Sequence, residues 1–100
     1  MLLAVTVLTG CAAKSLTVEV AEYAAAGSES AVGEGVSVPA RWGEVESVEC
    51  TDDAVSVARE ASLLWVRAQG TAPLEVHGEC AVDFASRSLA VTYDIRVTAD

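Results

Sequence analysis

Apolar and polar residues alternate along the last quarter of the chain. Every second residue of segment 74–84 is apolar apart from Gly78, and the same period returns in segment 89–97 after a four-residue connection. A period of two places successive side chains on opposite faces of a β-strand. The two segments therefore predict a β-hairpin with one buried face and one face toward solvent. Because the first segment exceeds the usual strand length, Gly78 is interpreted as a bulge or a bend.

Shorter segments with the same alternation predict further strands upstream. They cover residues 16–20, 35–38 and 45–50, and Pro39 follows the second of them. Residues 24–35 consist largely of Ala, Gly, Ser and Glu, which is the composition of a loop. We therefore expect a flexible loop between the first and the second of these strands.

Segment 54–69 fits two different structures. With a period of 3.6, one helical face collects seven apolar residues, Asp52 and Asp53 are candidate caps, and Gly70 follows the end. With a period of two, the same segment gives two short strands, 54–58 and 63–68, joined by a turn. The alternation of residues alone slightly favours the helix, which would make the domain α+β.

Four segments resemble the bacterial Ig-like domain of the group 2 type. They read VGEGVSV (32–38), DAVSVA (53–58), LLWVRA (63–68) and GTAPLEV (70–76), and the resemblance spans about residues 32–98. This resemblance implies an all-β fold, an Ig-like antiparallel β-sandwich of about seven strands. It also favours two strands over a helix in segment 54–69.

The first eleven residues resemble the signal peptide of a bacterial lipoprotein. Residues 1–8 are apolar except for Thr6, and Leu8-Thr9-Gly10-Cys11 is similar to the lipobox. An apolar segment of this length is too short to span about 30 Å of hydrocarbon but suits the core of a signal peptide. No basic residue precedes Lys14, although signal peptides begin with positive charge. The alternative is that residues 1–8 form a first β-strand, since Leu, Val and Thr suit strands.

This resemblance implies a division of the chain and a location. Residues 1–10 would be a removable signal peptide, residues 11–15 a tether, and residues 16–100 the β-sandwich domain. Cys11 would carry the lipid, and two or more acyl chains would hold the protein stably on the membrane. We therefore expect an extracytoplasmic protein that is lipid-anchored to the bacterial cell membrane.

The other two cysteines are candidates for a disulfide. If Cys11 is lipidated, Cys50 and Cys80 remain as an even pair in an exported chain. Closing a loop of about 30 residues would stabilise the fold by about 3–4 kcal/mol. Both side chains fall on the apolar faces of their strands, so the bond is expected to join two packed sheets. The alternative is two buried free thiols.

The charge of the chain excludes some partners. The net charge is −9, with 15 acidic and 6 basic residues among 100. Such a balance argues against nucleic-acid binding, which needs a basic face, and against electrostatic attachment to anionic lipid. We expect the acidic residues to serve solubility.

Neither the histidine nor the acidic residues predict a metal or a cofactor. His77 is the only histidine and lies between Glu75 and Glu79 on the predicted solvent face of a strand, whereas a zinc site normally needs three protein ligands. The acidic run lacks the calcium-loop signature and is interpreted as a solvated edge. Its members are Glu44, Glu46, Glu49, Asp52 and Asp53.

These observations favour a function without catalysis. The chain has no nucleophile elbow and no nucleotide-binding fingerprint. Trp42 and Trp65 are candidates for a sugar-stacking platform if exposed, but a tryptophan in a small sandwich is more often part of the core. We expect a structural or adhesive domain of the cell envelope with an unknown protein or glycan partner. The alternative is a protein-binding or protease-inhibitor module that acts through the loop at residues 24–35.

Overall fold

Seven β-strands and one short 3-10 helix make up residues 14–100, the part of the chain that the computed structural model describes. The strands are β1 (Lys14–Ala24), β2 (Glu29–Ser37), β3 (Val45–Cys50), β4 (Val55–Glu60), β5 (Leu63–Thr71), β6 (Leu74–Phe84) and β7 (Ser88–Ala99), and the 3-10 helix is Ala40–Trp42. The expectation of an all-β fold of about seven strands is confirmed. Segment 54–69 forms the two strands β4 and β5 and not a helix, because alternate residues of the paired strands, Val55, Leu64 and Val66, pack into the core.

The strands form two sheets that pack face to face as a β-sandwich. One sheet has the order β1-β7-β6-β3 and the other the order β2-β5-β4. Neighbouring strands are antiparallel except β1 and β7, which run parallel. Both sheets contribute buried side chains to one core. The fully buried ones include Val18, Leu64, Val66, Val82, Val91, Tyr93, Ile95 and Val97.

The expected loop at residues 24–35 is wrong. Only residues 25–28 form a turn, and from Glu29 the chain is strand β2, which pairs with β5. The alternation is hard to see in β2 because two of its outward positions are Gly33 and Gly35. A Cβ on Gly33 would collide with Arg67 of the neighbouring strand, and a Cβ on Gly35 would lie 3.0 Å from the indole of Trp65.

The C-terminal hairpin is confirmed, but the bulge suggested at Gly78 is absent. Strands β6 and β7 pair without a break from Leu74 opposite Val97 to Asp83 opposite Ser88. The register shift of this sheet lies instead in β3, near Val45. Gly78 therefore marks no bulge, and it serves a close approach described below.

Different turns and connections form the two ends of the sandwich. We call the end at which β1 begins the proximal end, where Lys14 pairs with Leu89. The 3-10 helix and the turns at residues 61–62 and 85–87 lie at this end. The β1–β2 turn, the β5–β6 connection and the C-terminus lie at the opposite, distal end. No helix within residues 14–100 is long and apolar enough to cross a membrane.

Candidate functional site

A disulfide joins Cys50 to Cys80, as the sequence predicts. The two residues face each other across β3 and β6, with their Cα atoms 4.0 Å apart. The expectation that the bond joins two packed sheets is wrong, because β3 and β6 are neighbours in one sheet. Since β3 is an edge strand, the bond holds that edge on the sheet. Disulfides persist in oxidising compartments, so the bond indicates an extracytoplasmic location.

A polar cluster lies beside the disulfide. The Tyr93 hydroxyl donates a hydrogen bond of 2.6 Å to Asp52 Oδ2 and lies 3.0 Å from Thr51 Oγ1. The Glu79 N–H donates to the same Thr51 oxygen over 3.1 Å. Tyr93 belongs to β7 and reaches these partners past Gly78 of β6, where a Cβ would lie 2.9 Å from the phenol oxygen. Gly78 thus leaves the space that lets Tyr93 bind the segment after β3.

The environment of Tyr93 favours its protonated form. Burial of the side chain, followed by the hydrogen bond and the negative charge of Asp52, raises the pKa of Tyr93 above its ordinary value. Thr51 opposes this effect. The phenol therefore keeps its proton at neutral pH and acts as a hydrogen-bond donor. The cluster fastens the connection between β3 and β4.

A shallow open depression lies along the outer edge of β3 and β6. Its lining residues are Val48, Glu49, Cys50, Thr51, Glu79 and Ala81. The lining contains two carboxylates but no histidine or free thiol, because Cys50 is in the disulfide.

The structure does not bring the predicted acidic run together. Glu44, Glu46 and Glu49 are exposed along edge strand β3 and the segment before it, whereas Asp52 accepts the hydrogen bond from Tyr93. Within residues 14–100, no group of three His, Cys, Asp or Glu side chains is placed to hold a metal ion.

His77 is exposed on the outer face of β6, as the sequence predicts. Asp94 of β7 lies opposite His77 in the sheet. Next to them, Glu75 and Arg96 also face each other across β6 and β7 and form a surface ion pair, with Arg96 Nη2 3.2 Å from Glu75 Oε2. The histidine thus sits among solvated charges with no second histidine near it.

The two tryptophans lie on different sides of the sandwich and do not form one platform. Trp42 is buried at the proximal end, where its ring meets Phe84 edge-on at 5.2 Å between centroids. Arg87 lies over the Trp42 ring, with its Cζ 4.8 Å from the ring centroid. Trp65 is half-buried on the outer face of β5, in contact with Arg67 at 4.7 Å.

The outer face around Trp65 was not anticipated from the sequence. Three indole atoms lie 3.0–3.2 Å from the place that a Cβ on Gly35 would occupy. The guanidinium of Arg67 also pairs with Glu60 at 3.4 Å. Gly33 and Gly35, two residues apart, were the sequence signal for this surface. The residues around them did not show that their strand pairs with β5.

The Arg59 side chain links backbone segments at the proximal end by hydrogen bonds. Its guanidinium donates to the carbonyls of Gly43 at 2.8 Å and Pro39 at 3.2 Å, and its Nε donates to the carbonyl of Ala61 at 3.1 Å. The same group lies 5.9 Å from the Phe84 centroid. One cation therefore ties the 3-10 segment to the β4–β5 turn, which explains why a half-buried arginine is tolerated in this strand.

The comparisons with known proteins add no relative to this description. No protein-family model, no curated protein and no solved structure matches this chain. The geometry itself gives a disulfide-bonded sandwich of two β-sheets.

Proposed function

We propose that this chain is an exported, lipid-anchored Ig-like domain of the bacterial cell envelope with a structural or adhesive role. The observation that carries the proposal is the pairing of the cysteines. Cys50 and Cys80 bond to each other, which leaves Cys11 as the one cysteine outside the disulfide. Cys11 stands in the lipobox-like sequence Leu8-Thr9-Gly10-Cys11 and lies outside the described residues.

Two further observations support export and contact. The disulfide suits an oxidising compartment. Arg59 and Tyr93 are both engaged in hydrogen bonds that fasten loops. Side chains engaged in this way suit a scaffold or a contact surface better than a hydrolase. The turn at residues 25–28 leaves no long loop for the inhibitor alternative.

The anchor would hold the domain close to the membrane. Cys11 precedes Lys14, the first residue of β1, by three residues. Three extended residues span at most about 11 Å. The domain would therefore act at short range from the bilayer, in contact with the envelope layer nearest to the membrane.

Metabolic labelling with a palmitate analogue tests the anchor. We expect label and membrane association in the wild-type protein and neither in Cys11→Ser. The matched control is the double variant Cys50→Ala/Cys80→Ala, which retains Cys11 and should still be labelled. Absence of label in the wild type, with the protein recovered in the soluble fraction, would refute the anchor.

A further inference from the structure

The four edge strands of the sandwich differ in how well they are protected against pairing with another chain. The edges are β1 and β3 in one sheet and β2 and β4 in the other. An edge strand presents unpaired backbone groups, and short length or an irregular register limits their pairing. Strands β3 and β4 have six residues each, and the register of β3 shifts near Val45. Strand β1 has eleven residues, contains no Gly or Pro, and pairs with β7 in an unbroken register.

The free hydrogen-bonding groups of β1 belong to its odd-numbered residues. The carbonyl of Ala24 accepts a hydrogen bond from the N–H of Asp100, on the side of β7. The N–H and C=O of one residue point to the same side of a strand, and successive residues alternate, so the even-numbered residues of β1 bond to β7. The backbone groups of residues 15, 17, 19, 21 and 23 therefore face the open side, where this sheet has no further strand within residues 14–100.

Charge selects one register for an antiparallel second copy of β1. Pairing through the odd-numbered residues with Val18 on a two-fold axis places Lys14 of each copy opposite Glu22 of the other. In this pairing even-numbered residues face only even-numbered ones, so the odd-numbered Glu19 never lies opposite Lys14. Strands β2 and β3 offer no such match, because all their charged residues are acidic, and the arginine of β4 is occupied by carbonyl groups.

The same register covers apolar residues at the edge of the sheet. Leu16 and Val20 are only partly buried, on either side of the buried Val18. In the paired strands, Leu16 of each copy lies opposite Val20 of the other, and the two Val18 residues meet at the axis. Apolar pairs and oppositely charged pairs across two strands both stabilise an antiparallel sheet. The repulsion between the acidic remainders of the two copies is screened beyond about 8 Å at physiological ionic strength.

We infer that β1 is a self-association edge, through which two copies of this chain pair antiparallel and join their four-stranded sheets into one. The contact uses the same surface of both copies, so the pairing closes as a dimer. Backbone hydrogen bonds of the added strand supply affinity, and the side-chain pairs fix the register. The inference goes beyond the proposed envelope role and does not depend on the anchor at Cys11.

Sedimentation of the full chain carrying Cys11→Ser tests the dimer, because this change prevents both lipidation and stray disulfides. We expect monomer and dimer in an equilibrium that shifts with protein concentration. Lys14→Glu sets like charges opposite each other at two places and should raise the dimer dissociation constant at least several-fold. The exchange variant Lys14→Glu/Glu22→Lys restores opposite charges and should recover most of the affinity. Arg41→Glu is the matched control, since Arg41 is exposed outside β1 and the change in net charge is the same.

A backbone variant tests the pairing without a change of charge. The N–H of Thr17 faces the open side, so Thr17→Pro removes a donor from the dimer contact and none from the pairing with β7. We expect this variant to be monomeric with the circular dichroism spectrum of the wild type. Three results would overturn the inference. They are a wild-type chain that stays monomeric, as it would if another segment or partner occupied this edge; an exchange variant no better than Lys14→Glu; and a folded Thr17→Pro that still dimerises.

Discussion

Each sheet of this sandwich uses a glycine to admit an aromatic side chain from the next strand, but the two sites differ in burial. In the four-stranded sheet, Gly78 makes room for Tyr93 inside the core. In the three-stranded sheet, Gly35 makes room for Trp65 on the outer face. The inner ring is surrounded and holds a hydrogen-bond cluster, whereas the outer ring has solvent beside it and room to move. The same local device should therefore be essential in one sheet and dispensable in the other.

The disulfide distinguishes the sheets most strongly, because it occurs only beside the inner site. Replacing both Cys50 and Cys80 by Ala removes the cross-link between β3 and β6. We expect the free energy of unfolding, measured by denaturant titration, to fall by about 3–4 kcal/mol, a large fraction of the stability of so small a domain. Cys11→Ser is the control and should leave the free energy of unfolding unchanged. A loss below about 1 kcal/mol would mean that β3 stays in place without the bond.

The inner glycine should tolerate no side chain. A Cβ on Gly78 would clash with Thr51 Oγ1 and lie 2.9 Å from the Tyr93 hydroxyl. We expect Gly78→Ala to cost about 3 kcal/mol, at the upper end for overpacking, because the cluster is displaced. The double variant Gly78→Ala/Thr51→Ala removes the nearest clashing atom and should recover part of the loss. If the two changes are strictly additive, the close approach is not the cause.

The hydroxyl of Tyr93 tests the polar cluster itself. Tyr93→Phe keeps the ring but removes the bonds to Asp52 and Thr51. We expect a loss of about 1–2 kcal/mol in the free energy of unfolding at neutral pH, typical of a buried hydrogen bond to a charged group. Tyr23→Phe is the matched control, because Tyr23 is 73% exposed. An equal effect of the two variants would contradict the role of the cluster.

The raised pKa of Tyr93 also predicts how stability depends on alkaline pH. The unfolded chain releases the phenolic proton near pH 10, whereas the folded protein retains it to higher pH. The folded state then binds more protons than the unfolded state, so the contribution of Tyr93 is complete below about pH 10 and is lost as pH rises toward the folded pKa. Denaturant titrations from pH 8 to pH 11 should show this fall in the wild type and a smaller one in Tyr93→Phe. An identical dependence of stability on pH in the two proteins would refute this contribution of Tyr93.

The outer glycine should give the smallest effect. A Cβ on Gly35 would lie 3.0 Å from the indole of Trp65, which is tight, but the half-buried ring can shift. Alanine also restricts the unfolded chain, which stabilises by about 0.4–1 kcal/mol. We expect Gly35→Ala to change the free energy of unfolding by less than about 1 kcal/mol. A loss as large as that of Gly78→Ala would remove the distinction between the two sites.

Much of the fold was predictable from the sequence. The alternation in segments 74–84 and 89–97 predicted β6 and β7 and their buried faces, and the count of three cysteines predicted the Cys50–Cys80 bond. Segment 54–69 was ambiguous because its apolar residues satisfy both periods. Only the end of strand β2 was predicted, as the strand at residues 35–38, because Gly33 and Gly35 interrupt the alternation before it.

The sequence by itself determined that segments 74–84 and 89–97 become strands and which of their faces turn inward, because side-chain alternation is a property of neighbouring residues. Only the tertiary structure decided that β3 lies beside β6 in one sheet, that Gly78 admits Tyr93, and that Arg59 binds the carbonyl of Gly43. Those features depend on pairing between residues that are distant along the chain. Local periodicity carries no information about such pairing, since any two strands with apolar inner faces satisfy it equally.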